Sequence, residues 1–166
     1  STEADSFFLK ACRLGSGEAC HNLALSLEEN SYGERSSAYI VPLYTQACDS
    51  DIAPACFNLA QKLRGAPAHD AEKITQHYQK ACRLGHAGAC INAAKSLESP
   101  FPKDDTSQEV ENSYARACEL GEPQGCAQLA YARIRAGGNT DSRISEIKDL
   151  LQKACQRGTL NACVNA

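Results

Sequence analysis

The chain has 166 residues, with 17 Lys and Arg against 20 Asp and Glu and a formal net charge of −3 at pH 7. That balance argues against a nucleic-acid binder and against docking on a membrane through a polybasic surface. The length suits one domain, and no apolar run approaches the roughly 20 residues that a membrane-spanning helix needs.

The predicted elements are all helices, because apolar residues recur at helical spacing and no segment alternates convincingly as a strand would. Asp70 is a candidate N-cap, Pro123 suits a first helical turn, and Pro42 should kink its helix or mark a late start. In chain order the predicted helices cover residues 4–14, 20–29, 35–47, 55–63, 70–84, 90–97, 106–120, 123–135 and 141–156, followed by a short segment at 160–166.

A C-x7-C element recurs five times and accounts for all ten cysteines. The first cysteines of successive elements lie 36, 34, 36 and 37 residues apart. A fixed period in this range is typical of a helical repeat array. The five pairs are Cys12/Cys20, Cys48/Cys56, Cys82/Cys90, Cys118/Cys126 and Cys155/Cys163.

Each element is predicted to be a helix end, a tight turn and a helix start. A large apolar residue precedes the first Cys by one helical turn, as Phe8, Tyr44, Tyr78, Tyr114 and Leu151. Three residues after the first Cys come Gly15, Asp51, Gly85, Gly121 and Gly158. Gly at this point predicts a left-handed helix cap, a conformation that Asp also tolerates. The second Cys should then open the next helix, which runs antiparallel.

Such a turn brings the two cysteines of one element close enough for a disulfide, so we predict five local bridges. Structural zinc sites favour a gap of two to four residues between paired ligands, and the chain has no C-x-x-C redox motif. The histidines share no register and are expected to be solvated or half-buried: His21, His69, His77 and His86. We therefore predict no metal and no cofactor.

Five bridges require an oxidising compartment, which is the periplasm, the cell exterior or the mitochondrial intermembrane space. The chain does not begin with Met and has no signal-peptide-like start. We expect any targeting segment to have been removed or to lie outside this sequence.

An amide side chain recurs two residues after each second Cys. Its return at one register has two interpretations. Each amide could bond a neighbouring backbone carbonyl or the adjacent turn. Alternatively, the amides could line the concave face of the array and bind an extended peptide, since an amide is both donor and acceptor. These candidate partner-binding residues are Asn22, Asn58, Asn92, Gln128 and Asn165.

The stretches Ala81-Cys82-Arg83-Leu84-Gly85-His86, Cys56-Phe57-Asn58-Leu59 and Arg64-Gly65-Ala66-Pro67 resemble the Sel1-like repeat proteins, relatives of the tetratricopeptide repeats. The cysteines place the resemblance in the cysteine-rich branch, with the Helicobacter cysteine-rich proteins and the Sel1-repeat assembly factors of cytochrome c oxidase. It implies an all-α fold, an α-solenoid of antiparallel helix pairs with five local disulfides. We expect a single domain over residues 1–166, with about four to five repeats, that starts and ends in mid-repeat.

Two functional classes remain open. The first is a disulfide-stabilised scaffold whose concave face binds a protein or peptide, and the resemblance implies a subunit or assembly factor of a larger complex. The second is a small-molecule binder of β-lactam type or a weak hydrolase, which the resemblance to the Helicobacter proteins implies. No Ser or Cys nucleophile with a positioned base is apparent, so no catalytic set of residues supports it. We expect a protein that is not an enzyme and name no catalytic residue.

Overall fold

The computed structural model describes residues 3–30, 37–67, 70–98, 106–137, 141–158 and Cys163, and we confine the description to them. Among these residues no helix is long and apolar enough to cross a membrane. The predicted segment at 160–166 lies outside the described residues, apart from Cys163. The helices are α1 (Glu3–Arg13), α2 (Gly17–Asn30), α3 (Ser37–Asp49), α4 (Ala53–Arg64), α5 (Ala71–Arg83), α6 (Ala87–Leu97), α7 (Thr106–Glu119), α8 (Pro123–Arg135) and α9 (Asp141–Gln156).

The chain divides into two compact units, Ser1–Leu84 and Gly85–Ala166. The first contains α1 to α5 and the second α6 to α9, and consecutive helices pack against each other within each unit. The all-helical repeat fold is therefore confirmed, and the single domain stays a prediction.

In the four elements whose second helix is described, the second Cys lies one turn inside that helix, so the prediction that it opens the helix was wrong there. The helices begin earlier because the turn residue before them already accepts the first helical bond, as in Cys20 N–H to Ser16 O at 3.1 Å. Ser16 also caps α2 with its side chain, which accepts from the Ala19 N–H at 3.3 Å. In the second unit, the ring nitrogen of His86 accepts from the Ala89 N–H at 3.1 Å and does the same for α6.

The turns adopt the predicted left-handed conformation. The φ angles are 95° at Gly15, 97° at Gly85, 91° at Gly121, 100° at Gly158 and 61° at Asp51. The residue after the left-handed position donates its N–H back to the residue before the first Cys, at 3.0 Å in Ser16 to Ala11 and 3.1 Å in Ile52 to Ala47. These bonds satisfy carbonyls that the end of a helix leaves open.

The bridges are local. Their Cα–Cα distances are 4.7 Å for Cys12–Cys20, 4.6 Å for Cys48–Cys56, 4.5 Å for Cys118–Cys126 and 4.7 Å for Cys155–Cys163. Cys82 and Cys90 are also disulfide-bonded. The distances lie at the short end of the range for disulfides, so the helix backbones approach closely and only small side chains fit beside the bridges.

One large residue and one Ala per repeat fill the core between consecutive helix pairs. The Ala before the first Cys is fully buried in the later repeats, at 0% exposed for Ala47, Ala81, Ala117 and Ala154. Tyr44 and Tyr114, at the register four residues before the first Cys, are also 0% exposed. In the second unit this gives a compact cluster of Cys126, Ala127, Ala130, Leu151 and Ala154. The core is therefore built from Ala, Cys and isolated large groups.

Substituting Gly125 by Ala should destabilise the protein. An added Cβ would lie 2.5 Å from the Ala117 Cβ and 2.8 Å from the Cys118 N. Both neighbours belong to the bridged turn and cannot move easily, so we expect a loss of about 1–3 kcal/mol in the free energy of unfolding. Urea unfolding with the bridges intact measures it.

Gly65→Ala is the matched control. Its added Cβ would meet nothing closer than 3.6 Å, and Gly65 has an ordinary φ of −78°. This variant should keep its stability or gain up to about 1 kcal/mol. Equal losses in both variants would contradict the close approach.

Candidate functional site

A polar cluster connects three helices of the first unit. The carboxylate of Glu28, near the end of α2, accepts a hydrogen bond from the hydroxyl of Tyr44 on α3. The same carboxylate pairs with the ammonium of Lys62 on α4. One acidic group therefore joins α2, α3 and α4.

The buried ring of Tyr44 explains why this position needs an acid. Its side chain is 0% exposed, and a hydroxyl buried with its ring requires a partner. Burial, and then the hydrogen bond to Glu28, raise the pKa of Tyr44 far above its usual value. The hydroxyl thus keeps its proton and acts as the donor.

The second unit repeats this arrangement. The Tyr114 hydroxyl donates to Glu98 at 3.0 Å, and Arg135 Nη2 lies 2.9 Å from Glu98 Oε1. Burial, followed by the contact with Glu98, raises the pKa of Tyr114. The Tyr–Glu–cation cluster is thus a repeated feature of the fold, with a different cation in each unit.

A histidine and an amide extend the cluster of the first unit. The side-chain nitrogen of Asn58 lies 3.4 Å from Nε2 of His21, and the His21 ring packs against Tyr44 with its centroid 5.9 Å away. Burial lowers the pKa of His21, although the negative charge of Glu28 acts in the opposite direction. His21 is therefore neutral at pH 7, and Nε2 is free to accept a hydrogen bond from the amide.

The cluster borders an open hollow of about 160 Å³, lined by Glu28, Asn58, Gln61 and Lys62. It offers a carboxylate, two amides and an ammonium group. Such a lining suits hydrogen bonding to a polar partner group. Among the described residues no group of three or more His, Cys, Asp or Glu side chains could hold a metal ion.

The predicted amide residues are placed differently from one another. Asn22 is exposed, whereas Asn58, Asn92 and Gln128 are half-buried. Asn165 lies outside the described residues. Asn58 contacts the side chain of His21 and lines the hollow, so its contact is not the backbone bond that one interpretation expected. Partner binding by these residues stays a prediction.

Sequence reasoning missed the central acid of the cluster. A pair of acids such as Glu28-Glu29 is typical of a solvated helix end, but the Glu28 carboxylate contacts Tyr44 and Lys62. A signal was present: a Glu precedes a Tyr by 16 residues in both units. The three histidines that are described, His21, His77 and His86, are half-buried, and His69 lies outside the described residues.

Lys80 contacts the turn of the preceding repeat. It stands in the last turn of α5, where the helix dipole favours cations. Its ammonium lies 3.0 Å from the Asp51 carboxylate in that turn. The cation therefore contacts the left-handed Asp of that turn.

The chain matches no family model. It is 32% identical over 138 residues to cytochrome c oxidase assembly factor 7A of Xenopus laevis, a match that covers 77% of this chain and 60% of that protein. The chain thus spans less than two thirds of that relative's length.

Solved structures share the fold. A Sel1 repeat protein from Oxalobacter formigenes has a TM-score of 0.74 at 19% identity, and the match covers 96% of this chain and 66% of that protein's chain. Helicobacter pylori cysteine rich protein B has a TM-score of 0.56 at 23% identity, and the match covers 78% of this chain and 94% of that one. At these identities the likeness establishes the Sel1-like fold alone, so it gives the β-lactam alternative no further support.

Substituting Tyr44 by Phe tests the energetic role of the cluster. The change removes a buried hydrogen bond to a charged acceptor, and we expect the free energy of unfolding to fall by about 1.5–3 kcal/mol. The control is Tyr39→Phe, which also removes one hydroxyl but at a side chain 73% exposed. Its effect should stay within about 0.5 kcal/mol. If thermal unfolding shows the same change for both, the hydroxyl of Tyr44 contributes nothing.

Proposed function

Because this chain is a cysteine-rich Sel1-like repeat protein, we propose that it is a rigid scaffold that binds a protein partner during the assembly of cytochrome c oxidase. The observation that carries the proposal is the 32% identity over 138 residues with an assembly factor of that enzyme. The scaffold role also fits the fold, since helical repeats present extended surfaces for partners.

The disulfides support both rigidity and location. Each described bridge joins cysteines eight positions apart, and closing a loop of that size restricts the unfolded chain by roughly 2–3 kcal/mol on the chain-entropy model. Bridges of this kind fit an oxidising compartment. In a scaffold for cytochrome c oxidase assembly, that compartment is the mitochondrial intermembrane space.

The proposed binding residues are the repeated amides Asn22, Asn58, Asn92, Gln128 and Asn165. In the first unit, Asn58 lines the hollow next to the charged pair Glu28–Lys62. Half-buried amides can bond to the backbone of an extended peptide with both donor and acceptor. Their surroundings also restrict the side chain before binding, which lowers the entropy cost.

Complementation tests the assembly role. The chain is directed to the intermembrane space of Xenopus cells that lack assembly factor 7A, and cytochrome c oxidase activity is measured. We expect the activity to recover, because the chain shares the repeats of that factor. The control is the same chain directed to the mitochondrial matrix. No recovery with correctly bridged chain in the intermembrane space would contradict the proposal.

Alanine substitution tests the amides. Asn58→Ala and Asn92→Ala should each weaken the binding of a captured partner by on the order of 1 kcal/mol. The melting temperature should stay unchanged in Asn92→Ala and fall only slightly in Asn58→Ala, which also loses the contact with His21. Asn22→Ala is the control at the same register, because Asn22 is exposed and water can replace its amide. A lower melting temperature with unchanged affinity would show that the amides serve the fold.

A further inference from the structure

We propose that Asn58 is held with its carbonyl oxygen facing the hollow of the first unit, so that the hollow binds an N–H donor of the partner. The donor of matching chemistry is a backbone amide of an extended segment. The inference rests on the proposed scaffold function and specifies which polarity the partner group must have.

The orientation begins at Glu28. A carboxylate only accepts hydrogen bonds, and the Glu28 carboxylate is also paired with the ammonium of Lys62. The hydroxyl of Tyr44 must therefore donate to Glu28. This contact fixes the direction of every bond further along the chain of polar groups.

The phenolic oxygen of Tyr44 is then left as an acceptor. Asn58 acts on this oxygen in the direction of a donor, because it lowers the pKa of Tyr44, and only the amide nitrogen of Asn58 can donate. The same nitrogen lies 3.4 Å from Nε2 of His21, which can accept from it when the ring proton is on Nδ1. Tyr44 and His21 thus both lie on the nitrogen side of the Asn58 amide.

The carbonyl oxygen of Asn58 has no role in these bonds. Asn58 lines the hollow together with Glu28, Gln61 and Lys62. The Lys62 ammonium is paired with Glu28, so the carbonyl oxygen of Asn58 is the acceptor that these bonds leave available. A partner carbonyl or carboxylate placed against that oxygen would meet its lone pairs, and an unpaired polar group of this kind is costly. A partner N–H meets the acceptor it needs.

The second unit has other residue types at the positions that correspond to His21 and Gln61. At the register of His21 it has Ile91, which is 4% exposed and cannot accept a hydrogen bond. At the register of Gln61 it has Tyr131, which packs against the cluster of α8 and α9. The fixed acceptor is therefore a property of the first unit, even though Gln128 stands at the register of Asn58.

Acid should reverse the polarity of the hollow. His21 is faced by Glu28 on its own helix, Tyr44 on α3 and Asn58 on α4. The Lys62 ammonium on α4 pairs with Glu28, and Asp5 on α1 accepts from Ser26. Protonated His21 becomes a donor at Nε2 and can no longer accept from Asn58. The amide must then turn its oxygen towards His21, and its N–H groups face the hollow. Since the pKa of His21 is lowered, this change lies below its usual value of 6.5.

The test uses the isolated chain and two small probes in NMR titrations. N-methylacetamide has a carbonyl and an N–H, whereas N,N-dimethylacetamide has the same carbonyl and no N–H. We expect N-methylacetamide to shift the side-chain amide signals of Asn58 and Gln61 with an affinity at least about fivefold higher, as one hydrogen bond predicts. Nitrogen-15 shifts should show neutral His21 with its proton on Nδ1.

His21→Phe is the matched variant. Phe57 occupies the same register in the next repeat and packs on Tyr78 with ring centroids 5.8 Å apart, so the introduced phenyl ring keeps the packing on Tyr44 and removes only the acceptor. In this variant, and in the native chain at acid pH, the preference for N-methylacetamide should weaken, because one of the two groups that hold the Asn58 nitrogen is lost. Equal binding of the two probes by the native chain at neutral pH, no binding of either, or an undiminished preference in His21→Phe overturns the proposal. No partner is present, so these results are independent of the complementation in cells.

Discussion

The bridged turn is the constraint on which the rest of the structure depends. Its two cysteines stand 4.5–4.7 Å apart at Cα, so the end of one helix touches the start of the next. That distance requires a left-handed residue between them and small residues beside them. Gly125 shows the limit, because even one methyl group there would overlap Ala117. Once the turn is set, the direction of each following helix is set as well.

At two places in the described residues, neighbouring helices are also linked by a polar contact. A buried Tyr reaches an acid of the preceding repeat and a cation completes the contact, as in Tyr44, Glu28 and Lys62 and again in Tyr114, Glu98 and Arg135. Packing by Ala and Cys is nondirectional, whereas a hydroxyl bonded to a carboxylate has one geometry. The polar cluster therefore fixes how the helices that it joins align. Packing of alanine side chains alone would define that alignment less closely.

The same cluster gives the first unit its candidate binding chemistry. Tyr44 serves the fold through its buried ring, and its hydroxyl contacts Glu28. His21 packs on that ring, and its Nε2 lies 3.4 Å from the side-chain nitrogen of Asn58. A scaffold gains affinity when its polar groups are oriented before the partner arrives, because less freedom is lost on binding. The proposed recognition role thus uses residues that also hold the fold.

The sequence by itself determined the repeat, the turns and the bridges, because each depends on residues close along the chain. The spacing of Cys48 and Cys56 and the left-handed position at Asp51 are local features that a periodic sequence displays directly. The tertiary structure alone decided that Glu28 meets Tyr44 and Lys62, and that Asn58 meets His21 across 37 residues. These contacts join different helices. The spacing of residues along a helix predicts which of them share a face, but it does not predict which face packs against a neighbouring helix.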